Sequence, residues 1–157
     1  MAAIREAHVE WNGDLASGGG VVSAGTSKAF SDLAVTWGSR TQEADGRTSP
    51  EELIASAHAS CYSMAFSAAL GRAGAPPEHM SVSATVTFDQ VDGAWTVISS
   101  ALKVVAKVPG IQLAASQQAA EASMFFQQLA DGAKDGCPIS RALKGNVELS
   151  VDATLVE

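Results

Sequence analysis

The chain has 157 residues, 46% of them hydrophobic and 17% charged, which suits one domain with a substantial core and a surface poor in charge. A formal net charge of -7, with no cluster of basic residues, argues against the positive field that a nucleic-acid backbone or an anionic membrane demands. The N-terminal stretch lacks the long apolar run of a signal peptide, and no segment approaches ~18 uninterrupted apolar residues, so the expectation is a soluble, cytoplasmic protein forming a single domain over residues 1–157.

The first elements are strands. "EAHVEWNGD" alternates apolar positions and ends in Asn-Gly-Asp, and "GGGVVSAG" follows closely, which predicts a hairpin; "DLAVTWGSR" predicts a third strand. After the polar "TQEADGRT", a helix start is marked by Ser49 as N-cap, Pro50 at the first helical position and Glu52 three residues after the serine. The helix runs to about Ala73, where Gly74, Pro76 and Pro77 end it. Leu53, Ala57, Cys61, Met64 and Ala68 share one face, and Ile54, Ala55, Ala65, Phe66 and Ala69 make much of the rest apolar, so the helix is expected inside the molecule.

"MSVSATVTFDQVDGAWTVISSALKVVAKV" reads as two long strands joined at Val91-Asp92-Gly93, with Val82, Ala84, Val86 and Phe88 alternating on one face. After Pro109-Gly110 a helical composition with Leu113, Ala120, Met124 and Leu129 roughly periodic runs to about Gly132. A short helix "PISRALK" follows, then a strand in which Val147, Leu149, Val151, Ala153 and Leu155 alternate with polar residues. Strands, helix, hairpin, helices and strand define an α+β domain with mainly antiparallel pairing.

Two cysteines are too few for a disulfide framework, which leaves an inert, metal-binding or redox-active pair. Cys61 sits about three turns into its helix, beyond the reach of the helix dipole, and apolar burial raises a thiol pKa. Taken alone it reads as a core residue unless a cation is brought to it. Cys137, between Gly136 and Pro138 at a helix entrance, lies where backbone N–H groups favour a thiolate and is the more acidic candidate. His58 is three residues before Cys61 and with Cys137 offers a weak metal set; His8 and His79 carry no spacing information. Glu51 and Glu52 suit a helix N-terminus in any case, yet Arg40 lies upstream where it can fold back onto one of them. A carboxylate-held guanidinium is the cation that Cys61 lacks.

"TSPEELIASAHASCYSMAFSAAL", "VPGI" and "AKDGCPISRAL", with the "HVEWNGD" opening and the strand order, resemble the OsmC family, relatives of the organic hydroperoxide resistance proteins, along nearly the whole chain. The resemblance implies antiparallel sheets wrapped around a long buried central helix in an intertwined homodimer. It also implies cofactor-free, metal-free reduction of organic hydroperoxides, and of hydrogen peroxide, with an external dithiol as reductant. By position, Cys61 matches the peroxidatic cysteine, Cys137 the resolving one, Glu51 the glutamate after proline and Arg40 the arginine. The interval between Arg40 and Pro50 is a residue longer than the family pattern and contains Arg47, a second candidate for the arginine. Glu51 and Cys61 are ten residues apart, roughly 15 Å along a helix, so the arginine must span much of that gap or the groups must come from different subunits. Met64, Phe66, Phe125 and Phe126 are candidates to shape an apolar substrate pocket. The competing reading is a noncatalytic binding module for a small hydrophobic ligand on the same dimeric scaffold.

Overall fold

In the computed structural model the described residues are 1–109, 111 and 116–156, with backbone alone at 116–119. They form two compact units, residues 1–53 and 54–157. The expected helical position Leu113 lies outside the described residues, as does Gly110.

In the first unit β1 (Ala7–Asn12), β2 (Gly19–Ala24) and β3 (Leu33–Val35) form an antiparallel sheet in the order β1-β2-β3. Gly20 of β2 is required by close packing, since a Cβ there would lie 2.5 Å from the Glu10 carbonyl oxygen. The third predicted strand stops early. Thr36 caps a short helix, α1 (Trp37–Thr41), and its hydroxyl accepts from the Ser39 N–H while the Ser39 hydroxyl accepts from the Thr36 N–H. These local hydrogen bonds give the backbone an alternative to the sheet ladder and place Arg40 on a helix rather than beyond a strand.

Helix α2 (Pro50–Arg72) begins and ends as its sequence predicts. Ser49 Oγ accepts from the Glu52 N–H, 3.2 Å away. At the other end Gly74 adopts φ +77°, with Gly74 N–H bonded to the Gly71 carbonyl and Ala75 N–H to that of Leu70, a Schellman closure. The buried stripe differs from the expected one: His58, Tyr62, Phe66 and Leu70 are fully buried, whereas Ala57, Met64 and Ala68 are exposed. Because this helix is apolar around most of its circumference, hydrophobic periodicity does not choose among its faces. Its 23 residues are long and apolar enough by composition to cross a membrane, yet the Tyr62–Phe66–Leu70 stripe packs in the core of the second unit.

In the second unit β4 (His79–Val91) and β5 (Ala94–Lys107) make a long antiparallel hairpin closed by Asp92 and Gly93, both at positive φ. Strand β6 (Glu148–Val156) pairs with β5 in parallel. The other strand pairs are antiparallel, so the mainly antiparallel expectation holds, and this parallel pair follows from the connection, since α3 (Ser116–Gly136) and α4 (Pro138–Leu143) intervene between β5 and β6. Helix α3 continues through Gly132 to Gly136: buried Ala133 and the Lys134–Asp131 pair, 3.0 Å apart, outweigh the modest helix cost of one glycine. Phe66 and Phe126 meet with ring centroids 5.2 Å apart among Tyr62, Leu102, Val104, Ala130 and Cys137.

Candidate active site

Cys61 on α2 and Cys137 at the head of α4 are free thiols in the second unit, with Sγ atoms 3.1 Å apart. Gly136 ends α3 and Pro138 opens α4, so the chain turns at Cys137 with extended backbone and leaves its sulfur as the helix N-cap. There Cys137 Sγ accepts from the Ser140 N–H at 3.4 Å. Burial pushes this thiol up, but the donors of Ser140, Cys61 and Ile139 outweigh burial and bring it below its ordinary value. Cys61 moves the other way, raised by burial first and by its neighbour thiol, with one opposing contact from the Ile139 N–H. The sequence expectation that Cys137 is the more acidic thiol is met in this unit.

His58, one turn before Cys61 on α2, is fully buried. Its Nδ1 lies 2.7 Å from Ser100 Oγ of β5 and its Nε2 lies 2.9 Å from Ser140 Oγ of α4. Both nitrogens are thereby occupied by hydroxyls, and desolvation lowers the imidazole pKa, so the ring is neutral. Among the described residues no group of three or more His, Cys, Asp and Glu side chains is arranged to hold a metal ion.

The charged candidates belong to the first unit. Glu51, in the first turn of α2, is buried, and Arg40 of α1 grips it through Nη2–Oε1 at 2.6 Å and Nε contacts of 3.2 Å to both carboxylate oxygens. Burial raises the Glu51 pKa, but the Arg40 hydrogen bonds lead the opposing contributions and hold the carboxyl below its usual range. The Arg40 guanidinium also lies 5.5 Å from the Trp37 ring centroid. Arg47 pairs instead with Asp45 at 2.7 Å on the surface, which separates the two arginines: only Arg40 meets Glu51. Beside Arg40 is an apolar cavity of about 350 Å³ walled by Trp11, Leu15, Val22, Val35, Trp37 and Leu53.

The sequence-predicted residues therefore fall into two groups, Cys61 with Cys137 and Arg40 with Glu51. The apolar candidates divide differently. Phe66 and Phe126 are fully buried in the core of the second unit, and Met64 and Phe125 are exposed. Sequence reasoning missed the roles of Ser100 and Ser140, and the cavity walls contributed by Trp11 and Leu15. For Ser140 a signal was available, since it stands three residues after an N-cap, where its N–H faces the capping atom. Nothing in the sequence points to Ser100, which reaches His58 across forty-two residues.

The sequence model of the OsmC-like protein family matches residues 42–152. The chain is 35% identical to the peroxiredoxin OsmC of Escherichia coli strain K12 over 149 residues, covering 95% of this chain and 96% of that protein. It is 33% identical to organic hydroperoxide resistance protein-like 1 of Staphylococcus epidermidis over 117 residues, 74% of this chain and 76% of that one. The crystal structure of the organic hydroperoxide resistance protein OhrB of Bacillus subtilis superposes with a TM-score of 0.63 at 20% identity, over 95% of this chain and 98% of that one. The chain belongs to the OsmC-like family, and its α+β fold is that of the family.

Proposed function

We propose that the protein is a thiol-dependent peroxidase that reduces organic hydroperoxides through a Cys61 sulfenic acid and a Cys61–Cys137 disulfide, acting as a homodimer with an external dithiol as reductant. The observation that carries this reading is the pair of free thiols with sulfurs 3.1 Å apart, one of them at a helix N-cap. The peroxiredoxin and hydroperoxide-resistance names of the relatives agree with it.

In this mechanism the Cys61 thiolate attacks the O–O bond of the hydroperoxide. The alkoxide leaves and takes a proton to become the alcohol, while Cys61 keeps the other oxygen as a sulfenic acid. Cys137 displaces that oxygen to form the disulfide, and the external dithiol returns both cysteines to thiols by exchange. Since burial and the neighbouring thiol hold the Cys61 pKa up, the nucleophile needs an added cation. Arg40, oriented by Glu51, has this role in the working assembly and meets the charge that develops on the leaving oxygen. The apolar cavity beside Arg40 takes the alkyl portion of the substrate. Exposed Met64, Met124 and Phe125 supply an apolar surface that a second copy covers in the homodimer.

Intact mass before and after one equivalent of an organic hydroperoxide tests the reading. A loss of about two mass units is expected from disulfide formation. The Cys61→Ser variant is expected to keep its fold and lose peroxide consumption; wild-type turnover in that variant sinks the proposal. The same cavity favours a second reading, a noncatalytic carrier of a small hydrophobic ligand. That reading gains if peroxide leaves both thiols free while an apolar ligand raises the melting temperature.

A further inference from the structure

The two thiols differ in how far the fold lets anything reach them. Cys137 is sealed at 0% exposure, in the core cluster that holds Tyr62, Phe66, Phe126, Ala130 and Ala133. Cys61, its Sγ 3.1 Å away, is only partly buried and packs against that cluster. Its neighbours one turn earlier on α2 are His58, fully buried, and Ala57, exposed, so Cys61 stands on the seam between the closed and open sides of the helix. The proposed reaction leaves open which sulfur the reductant meets. A partner subunit covers further surface, but it does not uncover a sulfur that its own unit has closed.

In thiol–disulfide exchange the rate depends on which sulfur can be reached and on which sulfur leaves. An entering thiol has no path to Cys137 without opening a close-packed core. It reaches Cys61 from the side that the core leaves open. The leaving group points the same way. Cys137 is the N-cap of α4 and its Sγ accepts from the Ser140 N–H at 3.4 Å, so a thiolate expelled there meets a backbone donor already in place. Cys61 lies beyond the first turn of α2, where a helix start no longer favours a charge.

We propose that the external dithiol attacks Cys61 and expels Cys137, so that the mixed disulfide with the reductant forms on Cys61 and Cys137 exchanges only with its neighbour. The inference rests on the reading that the pair cycles through a Cys61–Cys137 disulfide. In the first exchange a reductant thiolate adds to Cys61 Sγ, the new S–S bond forms, the Cys61–Cys137 bond breaks and Cys137 leaves as a thiolate that solvent protonates. In the second, the other thiol of the reductant, as its thiolate, attacks the reductant's own sulfur in the mixed disulfide. That closes the reductant's disulfide and expels the Cys61 thiolate. The cysteine pair gains two electrons and the reductant loses two. Cys61 thus faces both external reactants in turn, first the hydroperoxide and then the dithiol, while Cys137 works inside the core.

The test uses the wild-type chain oxidised with diamide, so that no peroxide enters. Glutathione, a monothiol that cannot complete the second exchange, is added briefly, the exchange is stopped with acid, and pepsin peptides are mapped by mass. At least about 90% of the first adduct is expected on Cys61. An adduct shared equally or lying mainly on Cys137 overturns the proposal, as does a chain in which diamide forms no disulfide. Single-cysteine chains give a second measurement. Dithionitrobenzoate is expected to modify Cys61 in folded Cys137→Ser at least about tenfold faster than Cys137 in folded Cys61→Ser. Equal rates, or a faster Cys137, overturn the proposal by showing that burial does not keep reagents from that sulfur. Failure of the peroxidase reading is distinguishable: glutathione then still adds to Cys61, while hydroperoxide leaves the mass of the reduced chain unchanged.

Discussion

Glu51 in the first unit and Cys137 in the second are both buried acids that remain stronger than burial alone permits, and they reach that state by different means. Glu51 has a full positive charge against it, the Arg40 guanidinium at 2.6 Å. Cys137 has neutral donors, those of Ser140 together with the neighbouring thiol and the Ile139 N–H. A charge pair is strong, directional and undone by one substitution or by protonation. A set of dipoles is weaker per contact but fixed by the fold, since an N-cap is made by the backbone path itself. The comparison separates two ways to hold a buried acid ionised: a charge supplied by a side chain and a donor set built into a helix start.

The largest expected effect comes from removing the cation. Arg40→Met should lower the peroxide rate constant about 100-fold, in the range of one lost transition-state donor. It should also raise the pH at which Cys61 becomes reactive, because the opposing charge is gone while burial remains. Stopped-flow measurement of hydroperoxide consumption across a pH series reads both. An unchanged rate and pH profile would confine the Arg40–Glu51 pair to holding the first unit together.

Much of this arrangement is legible in the sequence because its signals are local. Ser49, Pro50 and Glu52 mark the start of α2, Gly74 its end, and Asp92-Gly93 the hairpin turn. Gly136-Cys137-Pro138 marks an N-cap and with it the sulfur's neighbours. What the sequence conceals depends on long-range contact. The α2 residues are apolar on most sides, so periodicity does not reveal that Tyr62 and Phe66 face the core while Met64 faces outward. The parallel pairing of β6 leaves no mark on its alternating pattern, which serves either direction equally. His58 reads as a lone helical histidine until Ser100 and Ser140 arrive from β5 and α4. Arg47 stands as a second candidate beside Arg40 in the sequence, and what the sequence conceals is that Arg40 meets Glu51 while Arg47 meets Asp45.

Glu51→Gln sharpens the contrast at intermediate size. The amide keeps the shape and loses the charge, so the peroxide rate should fall about tenfold, less than on losing the guanidinium itself. At neutral pH the variant should be less stable by about 1.5–3 kcal/mol, the scale of a charge-assisted hydrogen bond. The sign of the pH dependence follows from the depressed folded-state pKa of Glu51. Its contribution is present above the unfolded pKa and is lost as pH falls through the folded one. Urea denaturation at a series of pH values should therefore show the two proteins converging in acid. A gap that persists to low pH would mean that carboxylate shape, rather than charge, holds Arg40.

The smallest effect belongs to Arg47, and its smallness is what makes it informative. Arg47 bonds Asp45 at 2.7 Å, but both side chains are largely open to water, 42% and 75% exposed, where a pair of opposite charges is screened and gains little. Arg47→Ala should therefore change stability by no more than about 0.5 kcal/mol and leave the peroxide rate within about twofold of the parent. Arg40→Met in parallel supplies the contrast within one segment of chain. If Arg47→Ala proves the more damaging of the two, the working arginine is the exposed one. The Glu51 pair is then a structural clamp, and the cation for Cys61 comes from the loop that the extra residue lengthens.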